Sequence, residues 1–353
     1  MNPLRVGVIG AGHLGTIHTR LLLQHPGVEC IGIADPNPAA CLRAEQSFRV
    51  TTSLDYRQWE QGLDAAIIAA PSQDHYEISA ELLRRGVHLL VEKPLTTATW
   101  QADQLVELAR QNRAVVQVGH VERFNPAWNA VCNKIGRPQY IEATRHSGYS
   151  FRSTDIGVVF DLMIHDLDLI LWLVGSRVTD VQAFGTTILS RDEDFAQARL
   201  QFECGTVANF SASRCSPTAA RVIRLYGSQG FATIDLASHS AEIVEISPTA
   251  AVVRLMGDDL SAEQKQKYRD EMFSAVLPRS TLTVEPCNAI FEEQKDWIEA
   301  IRSGQSPRVD VFAGRNAVAL AESITQAISR GGQLERPSLL PIDSIPRPLR
   351  RAA

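Results

Sequence analysis

The stretch Leu4 to Gly15, Leu-Arg-Val-Gly-Val-Ile-Gly-Ala-Gly-His-Leu-Gly, limits what this chain can fold into more than any other. A β-rich run ends at Ile9 and feeds into Gly10-Ala11-Gly12-His13-Leu14-Gly15, and Leu14, Ile17 and Leu21 follow at the spacing of a helix buried on one face. The order is strand, glycine turn, helix. Gly10 permits the tight turn, Gly12 removes a side chain where a pyrophosphate must approach backbone, and Gly15 lets the helix pack close on its strand. His13 and Leu14 share the turn and are expected at the same ligand. The helix amino terminus offers unpaired N–H groups and the positive end of its dipole to phosphates. A second buried strand, Val28 to Ala34, ends in Asp35, twenty residues after Gly15. A carboxylate there accepts hydrogen bonds from both ribose hydroxyls of an adenosine and repels a 2′-phosphate, so NAD is predicted over NADP. The alternative is an ordinary glycine turn and a solvated acid.

At 353 residues, 44% hydrophobic and 21% charged, the chain is long enough for two domains with substantial cores. A net charge of -5 gives no global reason for nucleic-acid binding. No apolar run approaches the length of a membrane span, and no signal-peptide pattern precedes the first strand; a cytoplasmic protein without a membrane partner is expected. Cys30, Cys41, Cys132, Cys204, Cys215 and Cys287 are scattered with no pair at metal-ligand spacing, so reduced thiols and no metal are expected.

Along the first third, strand and helix patterns alternate. Asp35-Pro36-Asn37-Pro38 reads as a turn and Ala39 to Phe48 as an amphipathic helix. Asp64 to Ala70 is an unbroken apolar strand ending at Pro71-Ser72, followed by a helix over Asp74 to Arg85, a strand at Val87 to Val91, a helix over Thr99 to Gln111 and a strand at Val115 to Val118. This rhythm predicts a doubly wound parallel sheet, with a first domain over 1–121. Beyond it, Ala198 to Glu203, a turn at Cys204-Gly205, and Thr206 to Ser211 alternate with period two; Arg221 to Tyr226 and Phe231 to Asp235 repeat the pattern around Gly227 to Gly230. Antiparallel strands with one wet face are predicted, hence an α+β second domain over 122–336. The segment Asp258 to Ser280 reads as a charged, unpatterned excursion, and Asn288 to Arg302 and Ala313 to Ser329 as closing helices that can pack back on the first domain. A Pro/Arg-rich tail, 337–353, is expected to be extended.

In such a sheet the ligand crevice lies beyond the carboxyl ends of the strands. Glu92-Lys93-Pro94 falls there, and Pro94 biases Lys93 away from helix. Lys93 in that place can bind a substrate hydroxyl and stabilise the developing alkoxide; otherwise it is a surface lysine beside a turn proline. In Asp161-Leu162-Met163-Ile164-His165-Asp166-Leu167-Asp168, a helix would align Asp161, His165 and Asp168 on one stripe. His165 is then a candidate general base oriented by Asp161, with metal ligation or a helix cap at Asp161 as alternatives.

Gly10 to Gly15, Asp35, Ala70-Pro71-Ser72 with His75, Glu92-Lys93-Pro94, and Asp161 with His165 occur in an order that resembles the Gfo/Idh/MocA family. The resemblance covers nearly the whole chain. It implies an amino-terminal Rossmann domain that binds NAD through the glycine turn, Asp35, Pro71, Ser72, His75, Glu92 and Lys93. It also implies a carboxyl-terminal domain whose large, mostly antiparallel open sheet often serves oligomerisation, so a homodimer or homotetramer, and a catalytic group of Lys93, Asp161 and His165. The Lys93-Pro94 peptide is a candidate for cis, as is common at that motif. A narrower likeness, carried by Gly119-His120-Val121-Glu122-Arg123-Phe124-Asn125-Pro126-Ala127 and by the segment 161–168, is to a branch acting on UDP-sugars at ring carbon 3. It implies a sugar or UDP-sugar substrate, with Lys93, Asp161, His165, Arg123, Asn125, Arg145 and Arg152 as candidate contacts. Arginines in a second domain are otherwise surface ion-pair partners. The competing functions are oxidation of inositol or another sugar, an NAD(P)-binding regulator without turnover, and a glycosidase using NAD transiently.

Overall fold

The computed structural model describes residues 2–334, apart from 60–61, 152–154, 283, 286 and 332. Arg152 and the tail over 337–353 therefore lie outside the described residues. The strands β1 (Leu4–Ile9), β2 (Val28–Ala34), β3 (Thr52–Ser53), β4 (Ala65–Ile68), β5 (His88–Glu92) and β6 (Val116–Gly119) form a parallel six-stranded sheet in the order β3-β2-β1-β4-β5-β6. Between them run α1 (His13–Leu22), α2 (Pro38–Phe48), α3 (His75–Arg84) and α4 (Thr99–Asn112). The strands read as continuous apolar runs because both faces are covered. Val6, Val8, Ala65, Ile67 and Leu90 pack with Leu22 and Trp297 on one side, and Ala66, Ile68, Leu89 and Val91 with Leu82, Leu83 and Leu105 on the other. Strand order reverses between β1 and β4, which opens a crevice at their carboxyl ends.

The second sheet has nine strands: β7 (Pro138–His146), β8 (Val178–Thr186), β9 (Phe195–Phe202), β10 (Val207–Ser213), β11 (Ala220–Gly227), β12 (Gly230–Asp235), β13 (Ser240–Glu245), β14 (Arg279–Leu282) and β15 (Gln333–Leu334), in the order β14-β13-β12-β11-β7-β10-β9-β8-β15. Only β7 and β10 run parallel; every other pairing is antiparallel. Ala196, Ala198, Leu200 and Phe202 of β9 point into the core while Gln197, Arg199 and Gln201 are exposed. The first domain is joined to this sheet through α5 (Pro126–Val131), and α6 (Ile164–Val174) lies over the sheet.

Five of these strands, β7, β8, β13, β14 and β15, escape the alternation argument, and for two of them the physical reason is plain. β7 carries Arg145 in phase with buried Ile141 and Ala143, and β8 has a register shift between Val178 and Asp180 that breaks its period. The excursion expected over Asp258 to Ser280 is a surface insertion between β13 and β14 that is largely helical. It follows α7 (Pro248–Met256) and holds α8 (Ala262–Asp270), a π-turn at Met272–Val276 and the first residues of β14. α8 is set by a capping box in which Ser261 Oγ accepts from the Gln264 N–H at 3.2 Å and Gln264 Oε1 accepts from the Ser261 N–H at 2.9 Å. None of its side chains is buried, so no apolar stripe announces it.

The last helices, α9 (Ala289–Ser303) and α10 (Val311–Ser329), bridge the two sheets. α10 packs on both α4 and α6, and the Val118 N–H donates to the Val309 carbonyl at 2.9 Å. On α9, the Gln294 amide donates to His18 Nδ1 of α1 at 2.9 Å and accepts from His25 Nε2 at 3.1 Å. Beside it Glu293 is fully buried, with no partner for either carboxylate oxygen among the described residues. Burial, and then the nearby charge of Glu92, raise its pKa well above 4.5. A group whose folded pKa is raised contributes stability that is fully present below the unfolded value and is lost as pH rises through the folded one. Urea unfolding of Glu293→Gln should therefore shift in the variant's favour, relative to the parent chain, as pH is raised from 4.5 toward neutrality and above. A difference independent of pH would show that Glu293 is ionised in the fold.

Candidate active site

A cleft of about 1180 Å³ opens where the carboxyl ends of β1, β2 and β4, and Glu92-Lys93, face the end of β7 and the segment before α6. Gly10, Gly12, His13, Leu14, Asp35, Pro71, Ser72, His75, Glu92 and Lys93 all line it. Gly10 has φ +102°, and a Cβ there would lie 2.4 Å from the Ala69 carbonyl oxygen. A Cβ on Gly15 would come within 1.8 Å of the Gly10 carbonyl oxygen, so Gly15 is bare because α1 sits on the turn. Gly12 caps α1, and its Cβ would meet nothing within 4 Å. The fold therefore does not require Gly12 to be bare.

Asp35 closes the same turn. Its Oδ2 accepts from the Ala11 N–H and its Oδ1 from the Asn37 N–H, both at 2.8 Å, which pins the carboxylate at the crevice with lone pairs left for ribose hydroxyls. His75 lies between the carbonyls of Pro94 (Nδ1, 2.8 Å) and Ala70 (Nε2, 2.9 Å), at the two loops that flank the crevice, and its neutral ring donates its single N–H to one of them. Burial keeps its pKa below the ordinary histidine value. These residues fit a bound dinucleotide. Among the described residues no group of three or more His, Cys, Asp or Glu side chains could hold a metal ion.

The opposite wall carries the acid–base groups. The Lys93-Pro94 peptide is cis. Lys93 Nζ donates to the Asp161 carbonyl at 2.7 Å and to Asp161 Oδ1 at 3.1 Å. An ammonium has three donors, so one remains for a substrate oxygen. A π-turn over Val159–Met163 leads into α6, a winding often found where a helix serves a site. Asp161 and Leu162 line the cleft; His165, on the next turn, is half-buried and stands behind them without lining it. Its Nδ1 is buried without a partner among the described residues, which leaves Nε2 as the nitrogen available to a ligand. Burial first, then the charges of Lys93, Arg145, His120 and Arg221, hold the His165 pKa well below 6.5, so the ring is neutral at neutral pH. Glu92 is anchored from behind: His18 Nε2 donates to its Oε1 at 2.8 Å. Burial would raise the Glu92 pKa, but His18 and Lys93 outweigh it and keep the carboxylate ionised.

Several expected contacts are corrected here. Asp161 does not orient His165; its carboxylate is taken by Lys93. Asp168 leaves the expected stripe for the core, where Arg123 Nε and Nη2 donate to its two oxygens at 2.6 and 3.0 Å and the guanidinium lies over Trp172. Arg123 is thus 2% exposed and outside the cleft. Asn125 is equally buried and outside it: its NH₂ donates to Glu122 Oε2 and the Leu236 carbonyl, and its Oδ1 caps α5 at the Ala127 N–H. Arg145 does reach the cleft wall, but its donors go to Asp166 (2.8 Å) and Glu122 (3.0 Å). Sequence reasoning missed His120, whose ring meets the His165 ring edge-on with centroids 6.3 Å apart, and Arg221, an exposed guanidinium on the cleft. The available signal for Arg221 was its phase with the inward-facing Ile223 and Leu225 of β11.

Residues 4–120 match the family described as an oxidoreductase family with an NAD-binding Rossmann fold, and residues 132–233 match the GFO/IDH/MocA C-terminal domain. The chain is 32% identical over 332 residues to UDP-N-acetylglucosamine 3-dehydrogenase of Acidithiobacillus ferrooxidans, covering 93% of this chain and 98% of that protein. A crystal form of that enzyme superposes with a TM-score of 0.80 at 29% identity, over 94% of this chain and 99% of the other. The scyllo-inositol 2-dehydrogenase (NAD(+)) of Bacillus subtilis is 29% identical over 241 residues, 61% of this chain and 69% of that protein. Levoglucosan dehydrogenase in complex with NADH and levoglucosan shares the fold, with a TM-score of 0.79 at 18% identity over 96% of this chain and all of the other.

The three glycines make separable predictions. Gly15→Ala forces a Cβ into backbone and should cost more than about 2 kcal/mol in urea unfolding. Gly12→Val should leave unfolding within about 0.5 kcal/mol of the parent while weakening NAD binding at least tenfold by titration. Equal NAD affinity in the Gly12 variant would remove the turn from cofactor binding.

Proposed function

Since the chain belongs to the Gfo/Idh/MocA family of NAD-binding oxidoreductases, we propose that it oxidises the C3 hydroxyl of UDP-N-acetylglucosamine to the 3-keto nucleotide sugar. The observation that carries the choice of substrate is the length of the match: the likeness to the nucleotide-sugar enzyme runs through 98% of that protein, against 69% of the inositol enzyme. A ketone at C3, beside the 2-acetamido group, is the form an aminotransferase needs to build a diamino sugar of the kind used in lipid A.

Gly10, Gly12, Asp35 and the Pro71-Ser72 loop would hold NAD, which supplies the hydride acceptor when bound. The rest of the chemistry belongs to the chain. His165, kept neutral by its burial and the positive groups around it, is free to accept the hydroxyl proton as hydride leaves the ring carbon and the oxygen becomes a carbonyl. Lys93, fixed at two points by Asp161, turns its remaining N–H to that oxygen and stabilises the negative charge as it develops. A regulator without turnover has no use for a base and an oxyanion partner so arranged.

NADH formation from UDP-N-acetylglucosamine tests the reading directly. Lys93→Met should lower kcat by about 100-fold or more with NAD affinity retained. Turnover of an inositol in place of the nucleotide sugar would overturn the choice of substrate, and near-native rates in Lys93→Met would remove Lys93 from the mechanism. The pH profile follows from the His165 shift. A base must be deprotonated to act, and its pKa lies well below 6.5, so kcat/KM should stay level through that pH and fall only in more acidic solution. An acidic limb centred at or above 6.5 would assign the base to another group.

A further inference from the structure

A second pocket, of about 560 Å³, lies against the substrate end of the cleft and is lined by the start of β11, the β12–β13 turn and the segment after β6. That volume falls in the ~300–1,000 Å³ range typical of small-molecule sites. Among the described residues Arg221 is the single residue that lines both cavities. Its guanidinium stands where the two meet.

Arg221 is also in an unusual electrostatic position. In the β7–β11 register it sits directly opposite Arg145, so two like charges share one face of the sheet at neighbouring positions. Such a pair is unfavourable unless each charge is compensated. Arg145 is compensated, by Asp166 and Glu122, and is buried with them. Arg221 is exposed and has no hydrogen bond or ion pair to a carboxylate among the described residues. The acids nearest the second pocket are engaged within the protein: Glu122 with Arg145 and Asn125, and Asp235 with the N–H groups of Ala237 and Ser238. Of the two, Glu122 is charge-compensated by Arg145, while the backbone N–H groups leave the Asp235 charge in place.

We infer that Arg221 binds the diphosphate of the substrate and that the pocket beyond it receives the nucleoside. A guanidinium presents a planar fork matched to phosphate oxygens, and Arg221 is exposed and lines both cavities. The sugar then lies toward Lys93 and His165, and the base lies toward the β12–β13 turn, with His239 at the rim. This assignment rests on the nucleotide-sugar reading above and adds the residues that would select it over a free sugar or an inositol.

Calorimetric titration with UDP, which cannot be oxidised, separates the two. The parent chain should bind UDP, and Arg221→Ala and Ala237→Trp should each weaken that binding at least tenfold, with Arg221→Lys intermediate because a lysine cannot fork. NAD affinity serves as the control for folding and should be unchanged in all three. In the turnover assay Arg221→Ala should raise KM for UDP-N-acetylglucosamine at least tenfold. UDP binding that is equal in parent and Arg221→Ala, or absent from the parent, overturns the inference. NADH formation with unchanged KM in Arg221→Ala would overturn it while leaving the proposed reaction in place; UDP binding that depends on Arg221, without any NADH from the nucleotide sugar, would sink the reaction and leave the inference standing.

Discussion

The contact on which the site depends is the double donation from Lys93 Nζ to the carbonyl and the carboxylate of Asp161. Lys93 stands at the end of a strand of the parallel sheet, and Asp161 stands in the turn before α6 on the other sheet, so this contact spans the two halves of the fold. A half-buried ammonium needs such compensation. The same segment is fixed from behind by a chain of side chains: Glu92 accepts from His18, His18 accepts from Gln294, and Gln294 lies on a helix contributed by the end of the sequence. The carboxyl-terminal helices therefore belong to the architecture of the crevice, although none of their side chains lines it.

From that arrangement comes the division of labour between the two catalytic candidates. The positive charges that gather on this wall, Lys93, Arg145 and Arg221, act on His165 together with its burial and keep the imidazole neutral. A neutral imidazole is a proton acceptor, and an ammonium tethered to a carboxylate is a donor of hydrogen bonds to a developing anion. One cluster of charge thus sets both roles, which is how a site with paired titratable groups assigns acid and base. Asp161, read from the sequence as the partner of the histidine, serves instead as the partner of the lysine. The distinction matters chemically, because a carboxylate on the ring would have favoured the imidazolium.

The parallel sheet was legible because its strands obey local rules. Its longer strands are short, mostly apolar runs closed by Gly, Pro or Asp, and the glycine turn specifies its own geometry through clashes within a few residues, as at Gly10 and Gly15. Lys93, Asp161 and His165 also stand in short motifs at element ends, and there the structure brings Lys93 onto Asp161. What the sequence concealed lies where a distant partner overrides the pattern. Arg123 and Asn125 look like free polar residues beside the cleft, yet Asp168 and the Leu236 carbonyl take them into the core from far along the chain. β7 was hidden by an inward arginine that only Asp166 and Glu122 make tolerable, and α8 by the lack of any buried face.

The two arginines in register on β7 and β11 show how little separates a structural charge from a functional one. Both follow inward-facing aliphatic residues, Ile141 and Ala143 in one strand, Leu225 and Ile223 in the other, and both arrive at the crevice end of the sheet. Burial decides their roles. Arg145 is covered by α6 and the segment after β6, so its charge has to be met inside the protein, and Asp166 and Glu122 meet it with hydrogen bonds to every guanidinium nitrogen. Arg221, one strand further out, remains in water, where leaving its donors unengaged carries no comparable penalty. A bound anion there need displace only solvent, whereas an anion at Arg145 would have to break a buried network first. On the inferred reading, substrate recognition on this wall falls at the sheet position where the fold itself has the least need of the charge.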